Sequence, residues 1–431
     1  MPDKSPAAKK QFWTLRYTLL NVAYFAAFCT IHAYAAVYLL SHGFTNTQVG
    51  ILLAAANVLS AICQPWIAGI IDKPGPLDNR RFILISVLMI LAGCLILSIV
   101  QNVKVIIFII YVLIYMIQFA YQPVMTALCF EYQKAGCNIY YGLARGLGSA
   151  GFAVTSAFVG RAVENRGTGL LMILSVIFMA VSAVLIYTFK KPVDAAKNSP
   201  SEDEGKAYAN NTPEADEIAE DAAAGNQDYV NHSAIAHNSI ISFGQTYPAF
   251  MLFLVGVICF YFAHNMINDF MIQIIRSLGG GETELGYANF LQAILELPVM
   301  ALIGFVLKKI SSDKLLLISG VAFFIKILIL VFATGLPGMF ISQSFQLFAY
   351  AVFIPAAAYY VSNTMEELDQ VKGQAYVTSA ITIGGVFSNL LSGVILDHLG
   401  IRAMLMTGTI VCAAGVIIAF IAFTRLPHHK A

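Results

Sequence analysis

From about residue 17 the chain alternates long apolar stretches with short polar or glycine-containing breaks. About 20 apolar residues in a helix cross the hydrocarbon core of a bilayer. Stretches of that length fall at 17–40, 47–71, 82–101, 105–128, 143–162, 168–189, 248–275, 285–306, 314–334, 337–362, 373–396 and 403–424. The alternating segments of about ten residues that mark a membrane β-barrel do not occur. The pattern predicts an all-α membrane protein of twelve spans, six on each side of residues 191–242. That segment holds ten of the chain's 24 acidic residues, with Asn, Ser and Ala and little periodicity. Such a composition buries too little apolar surface to fold alone. The predicted organisation is an N-terminal six-helix bundle (1–190), a flexible cytoplasmic linker (191–242) and a C-terminal six-helix bundle (243–431).

Composition sharpens this picture. The chain is 58% hydrophobic and 11% charged, against about 25% charged in soluble domains. A net charge of +1 gives no nucleic-acid footprint. Lys9, Lys10 and Arg16 precede "AYA" at 33–35, a faint signal-peptide pattern, but the apolar stretch is too long for one and reads as the first span. With the N-terminus in the cytoplasm, inside segments carry 18 basic residues and outside loops five; Arg145 and Lys326 make up the 25. The asymmetry predicts a cell-membrane protein with both termini inside. The seven cysteines are scattered without C-x-x-C, so neither a metal nor a cofactor is expected. The chain lacks the D-x-x-x-D pattern of a lipid-linked transferase and the G-x-x-x-x-G-K-[ST] of a nucleotide-driven pump. It reads as no enzyme.

Polar residues inside the spans carry the functional signal. Tyr261, His264, Asn265 and Asn268 share a face of the seventh span. Gln343, Gln346 and Tyr350 repeat the pattern on the tenth, and Tyr115, Gln118 and Gln122 on the fourth. His32 and Tyr34 interrupt the first. Polar groups facing lipid lose hydrogen bonds at a cost of roughly several kcal/mol each. These faces should therefore meet water, a solute or one another. Charge within a span is costlier still and marks function by default; Arg145, Asp269, Glu296 and Lys326 qualify. Glu296 lies among apolar residues beside Pro298, which makes its carboxyl a candidate proton carrier. His264 titrates nearest neutrality among ordinary side chains.

Three stretches resemble the major facilitator superfamily, and within it the lactose permease group of proton symporters. "GILLAAANVLSAICQPWIAGIIDK" (50–73) is similar to that group's second helix and following loop, with Asp72 and Lys73 in the conformational loop. "GLARGLGSAGFA" (142–153) resembles its fifth helix and "LGYANFLQAILELP" (285–298) its eighth. The resemblance implies two six-helix bundles around a central cavity that opens alternately to each side, lined by helices one, four, seven and ten. It implies substrate binding by Arg145, whose planar fork suits vicinal hydroxyls or a carboxylate, and stacking of substrate on Phe152. It places Lys326 near the proton site. The chain also departs from the group. Ala127 replaces a fourth-helix glutamate, Gln346 and Ala349 replace a tenth-helix His and Glu, and Tyr261 and His264 replace two seventh-helix aspartates. The group's proton relay therefore does not carry over.

The expected function is secondary active transport, with proton-coupled symport of a small polar solute: a sugar, an oligosaccharide or a nucleoside. An exporter of amphipathic compounds and a non-transporting membrane sensor are the alternatives. Expected substrate ligands are Arg145, Phe152, His264, Asn265, Asn268, Gln118, Gln122, Gln343, Gln346 and Tyr34. Expected coupling residues are Glu296, His264, Asp269 and Lys326. The partners are the solute, protons and the bilayer, with no obligate protein partner.

Overall fold

The computed structural model describes residues 6–71, 77–191 and 240–425, which are helical almost throughout. In chain order the helices are α1 (Pro6–Phe28), α2 (Ala35–Ser41), α3 (Asn46–Ile71), α4 (Asn79–Ile99), α5 (Lys104–Lys134), α6 (Tyr141–Arg166), α7 (Gly169–Thr188), α8 (Ile240–Thr246), α9 (Pro248–Asp269), α10 (Met271–Ser277), α11 (Glu282–Leu307), α12 (Ser312–Phe332), α13 (Leu336–Ser344), α14 (Tyr350–Thr364) and α15 (Glu367–Arg425). The rods lie where the spans are expected. Among the described residues, eight are long and apolar enough to cross a membrane, or nine if the bent pair Trp13–Ala33 and Ala35–Ser41 counts as one span. The 59-residue α15 is interrupted at Gly400, whose φ of 79° only glycine adopts without strain. Asp72, Lys73 and most of 191–242 lie outside the described residues.

Three rods break in mid-course. A π-helical turn, Cys29–Ala33, joins α1 to α2. Phe270 separates α9 from α10, and a 3-10 turn, Phe345–Leu347, leads from α13 towards α14. Such breaks turn backbone and side-chain polar groups towards a cavity. Tyrosines knit the N-terminal half together. Tyr17 donates to the carbonyl of Met125, Tyr24 to that of Gln118, and Tyr111 to that of Ile31. Each buried hydroxyl thereby finds the acceptor that lipid would deny it.

The two halves meet along two seams, α3 against α15 and α6 against α11. Glycines let the backbones touch. A Cβ on Gly50 would collide with the carbonyl oxygen of Asn389, one on Gly393 with that of Asn46, and one on Gly286 with that of Ser156. Further along the same helices the contact is gone. A Cβ on Gly69, Gly142, Gly146 or Gly304 would meet nothing within 4 Å. The halves are therefore pressed together at the end where α3 and α11 begin and part towards the other end, leaving a cleft open on that side.

Candidate functional site

One wall of the cleft is aromatic. The π-turn sets His32 against Phe28, with ring centroids 4.0 Å apart and planes 11° from parallel. Tyr115 lies 3.8 Å from His32 on another side, and Phe119 meets it edge-on at 4.7 Å. Phe152 on α6 lies 6.4 Å from Phe28. The rings of Phe28, Phe119 and Phe152 are half-buried. Gln118 is fully buried beside His32. Its amide atoms and both His32 nitrogens are enclosed.

Arg145 stands two helical turns from Phe152 on α6. Its Nη1 donates to Ser149 Oγ at 2.9 Å, and its guanidinium lies 4.3 Å from the centre of the Phe25 ring. It is within electrostatic reach of Glu296 and Tyr350, both in the opposite half. Glu131, the acid nearest to Arg145 along the N-terminal half, is engaged elsewhere: it binds Lys191 at 2.5 Å and accepts from Asn79.

The facing wall carries a chain of amides and, beside it, a separate charged group. His264 Nε2 is 2.9 Å from Asn268 Nδ2, and Asn268 Oδ1 accepts from Gln292 Nε2 at 3.4 Å. With Asn268 so oriented, its amide donates to His264, whose Nε2 is then an acceptor and the ring a neutral tautomer. Gln292 Nε2 also donates to Gln343 Oε1 at 2.5 Å. Gln343 Nε2, His264 Nδ1 and the Tyr261 hydroxyl have no partner among the described residues. They supply hydrogen-bonding capacity that a bound solute can satisfy. His264 itself stacks on Tyr350 at 5.3 Å.

Below this chain, Lys326 Nζ donates to Gln346 Oε1 at 2.7 Å, and Gln346 Nε2 donates to Glu296 Oε1 at 2.9 Å. Lys326 is fully buried and Gln346 nearly so. One glutamine amide thus bridges an ammonium and a carboxyl that do not touch directly. The amide's orientation is fixed, because an ammonium only donates.

The remaining expected residues lie elsewhere. Tyr34 is buried at the closed end. Its hydroxyl donates to the carbonyl of Ser156, and Gly160 and Gly286 pack against it. Asn265 faces Gly385 of α15. Gln122 is half-buried on α5. Asp269 sits at the α9–α10 break, against Asn389 and near Tyr115 of the other half. Gln292 was not expected. Its sequence signal is its position one turn before Glu296 on the same helix face.

The chain resembles known transporters in shape and in sequence profile. A solved structure described as a mutant of the nucleoside transporter NupG superimposes with a TM-score of 0.72 at 15% identity, covering 96% of this chain and 100% of the other. A second, described as the nucleoside transporter NupG, gives 0.65 at 14% identity, covering 95% and 98%. At such identities the likeness is one of fold. No curated protein matches the sequence. The profile of the MFS_1-like family matches residues 13–427. Reaching through both helical halves and the cleft between them, that match shows that the chain belongs to the MFS_1-like family and is a multi-pass membrane transporter of the major facilitator type, not an enzyme.

Proposed function

We propose that the protein carries nucleosides across the membrane by alternating access, in symport with protons. The observation that carries this reading is the contrast between the two walls. Half-buried rings stand on one side, and on the other stand an amide chain, Asn268–Gln292–Gln343, and the Gln346-bridged pair Glu296 and Lys326. A nucleobase offers a flat face to stack and a ribose offers hydroxyls to hydrogen-bond, so a nucleoside suits both walls at once. A disaccharide would use the amides and leave most of the rings idle. The overall likeness to structures described as nucleoside transporters supports the same choice.

In this reading Phe28, Phe119 and Phe152 stack the base, while Asn268, Gln292, Gln343 and Arg145 hold the ribose and base edges. Glu296 carries the proton. When Glu296 is ionised, Arg145 and the Gln346-linked Lys326 serve as its counter-charges. When it is protonated, Arg145 is free to engage the solute. Solute and proton therefore favour the same loaded state, which is the requirement for symport. In this reading each of the twelve expected spans crosses the bilayer. The basic asymmetry puts both termini in the cytoplasm, so the closed end faces outwards and the cleft opens inwards.

The test is uptake into proteoliposomes under an imposed pH gradient, interior alkaline, with uridine and adenosine against lactose and sucrose. Nucleoside accumulation that a protonophore abolishes is expected. Gradient-driven accumulation of a disaccharide alone would assign the site to sugars. Movement of amphipathic dyes alone would make the protein an exporter.

A further inference from the structure

The closed end carries the same contact twice, once in each direction. Helix α3 begins at Asn46, and its first amides are bound by a carboxylate from the other half. Asp397 Oδ1 accepts from Asn46 N at 3.1 Å and from Asn46 Nδ2 at 2.8 Å. Its Oδ2 accepts from Thr47 N at 2.7 Å and from Thr47 Oγ1 at 2.6 Å. Helix α11 begins at Glu282, and here the carboxylate comes from the N-terminal half. Glu164 Oε2 accepts from Thr283 N at 3.1 Å.

The sequence repeats the arrangement. The two helix starts read "NTQVG" (46–50) and "ETELG" (282–286), each with threonine second and, three residues later, the glycine that lets the backbones meet. The two acids read "ENRG" (164–167) and "DHLG" (397–400). Each stands three residues before a glycine of positive φ, 87° at Gly167 and 79° at Gly400. Each acid thus lies in the last turn of its own helix, where the helix dipole disfavours negative charge. The N-terminus of a helix in the other half is where that dipole favours it. The placement is unfavourable within either half alone and favourable only across the seam.

We propose that Asp397 and Glu164 form a pair of reciprocal latches, each a carboxylate at the C-terminal end of a helix in one half gripping the N-terminus of a helix in the other, and that together they hold this end of the transporter shut. Rocking the halves apart at this end would strip both acids of their partners and leave each at the negative end of its own helix. The latches therefore bias the resting protein towards the conformation described above. Gln273 reinforces the first latch, donating to Asn46 Oδ1 at 2.9 Å. The device concerns the conformational equilibrium and not the solute, so it can be tested without one.

The experiment measures distances between spin labels on Gln101→Cys and Leu399→Cys, both exposed and in opposite halves. It uses the full-length protein in nanodiscs with no solute added. The seven native cysteines are buried or half-buried, and a sample without the two introduced ones sets the labelling background. The parent should show one dominant short distance. Asp397→Ala and Glu164→Ala should each raise the long-distance population several-fold, and the double variant should raise it beyond either. Asp397→Asn and Glu164→Gln, which keep an acceptor oxygen but lose the charge, should fall between. Asp78→Ala removes an acid that caps α4 within one half and should change nothing. Distance distributions of both alanine variants superimposable on the parent, in monodisperse protein, would overturn the proposal. An equal shift in Asp78→Ala would do so too.

Discussion

Replacing Gln346 by leucine keeps the side-chain bulk and removes the amide that links Lys326 to Glu296. Two hydrogen bonds go, the 2.7 Å bond from the fully buried ammonium and the 2.9 Å bond to the half-buried carboxyl. Hydrogen bonds to charged groups contribute roughly 1.5–3 kcal/mol each, and the carboxyl's partial exposure puts its bond at the lower end. The expected loss of stability is about 3–4 kcal/mol, most of it the cost of a buried cation without its acceptor. Changing Lys326 to methionine in the same protein removes that cation. The double variant should then recover most of the loss, because an apolar pair of similar volume replaces the ammonium and its amide acceptor. Unfolding in mixed micelles by increasing SDS fraction gives the four corners of the cycle. A coupling of about 2–3 kcal/mol is expected between positions 346 and 326. Additive single effects, with coupling below about 0.5 kcal/mol, would show that the amide does not hold the lysine.

Arg145→Lys keeps the charge and loses the planar fork; nucleoside affinity should fall at least tenfold, by about 1.4 kcal/mol or more, in protein of normal thermal stability, as read by isothermal titration. Phe28→Ala should weaken binding of nucleosides by roughly ten- to a hundredfold, in line with about 1–3 kcal/mol per stacked base, while leaving free ribose unaffected in a competition assay. Gly50→Val would drive a side chain into the Asn389 carbonyl; it should part the closed end and raise labelling of a cysteine placed at Asn268 by a reagent that enters from that side.

Much of the architecture is legible in the chain. Apolar length alone marks most of the rods, and the fifth and eighth, poorer in apolar residues, still lie between clear breaks. The site is legible in part. His264, Asn268, Gln343, Gln346, Glu296 and Lys326 do converge, because equal helical spacing put them on inward faces. Tyr34 lies apart from these groups for a local reason. A π-turn, Cys29–Ala33, precedes Tyr34, whose hydroxyl donates to the Ser156 carbonyl, while His32 stacks on Phe28 in the aromatic wall. Asn265 lies apart from those groups because it is about 100° around the helix from His264, where it meets Gly385. Gln292 lies outside helices one, four, seven and ten, whose polar faces dominate the pattern, although its i, i+4 spacing to Glu296 marks the same inward face. Asp397 and Glu164 leave only a faint trace, an acid where a helix end should carry a base. The partner of each lies more than a hundred residues away in the other half.

The central claim, that a proton crosses with each nucleoside on Glu296, is tested most directly by a pH electrode. Proteoliposomes in a weakly buffered medium receive uridine, and external pH is recorded alongside uptake of labelled uridine. The parent protein should alkalinise the medium in proportion to the uridine taken up. Glu296→Gln, which mimics the protonated carboxyl, should exchange uridine at a comparable rate with no alkalinisation. Uridine uptake by the parent without any change in pH, or alkalinisation undiminished in Glu296→Gln, would contradict the account.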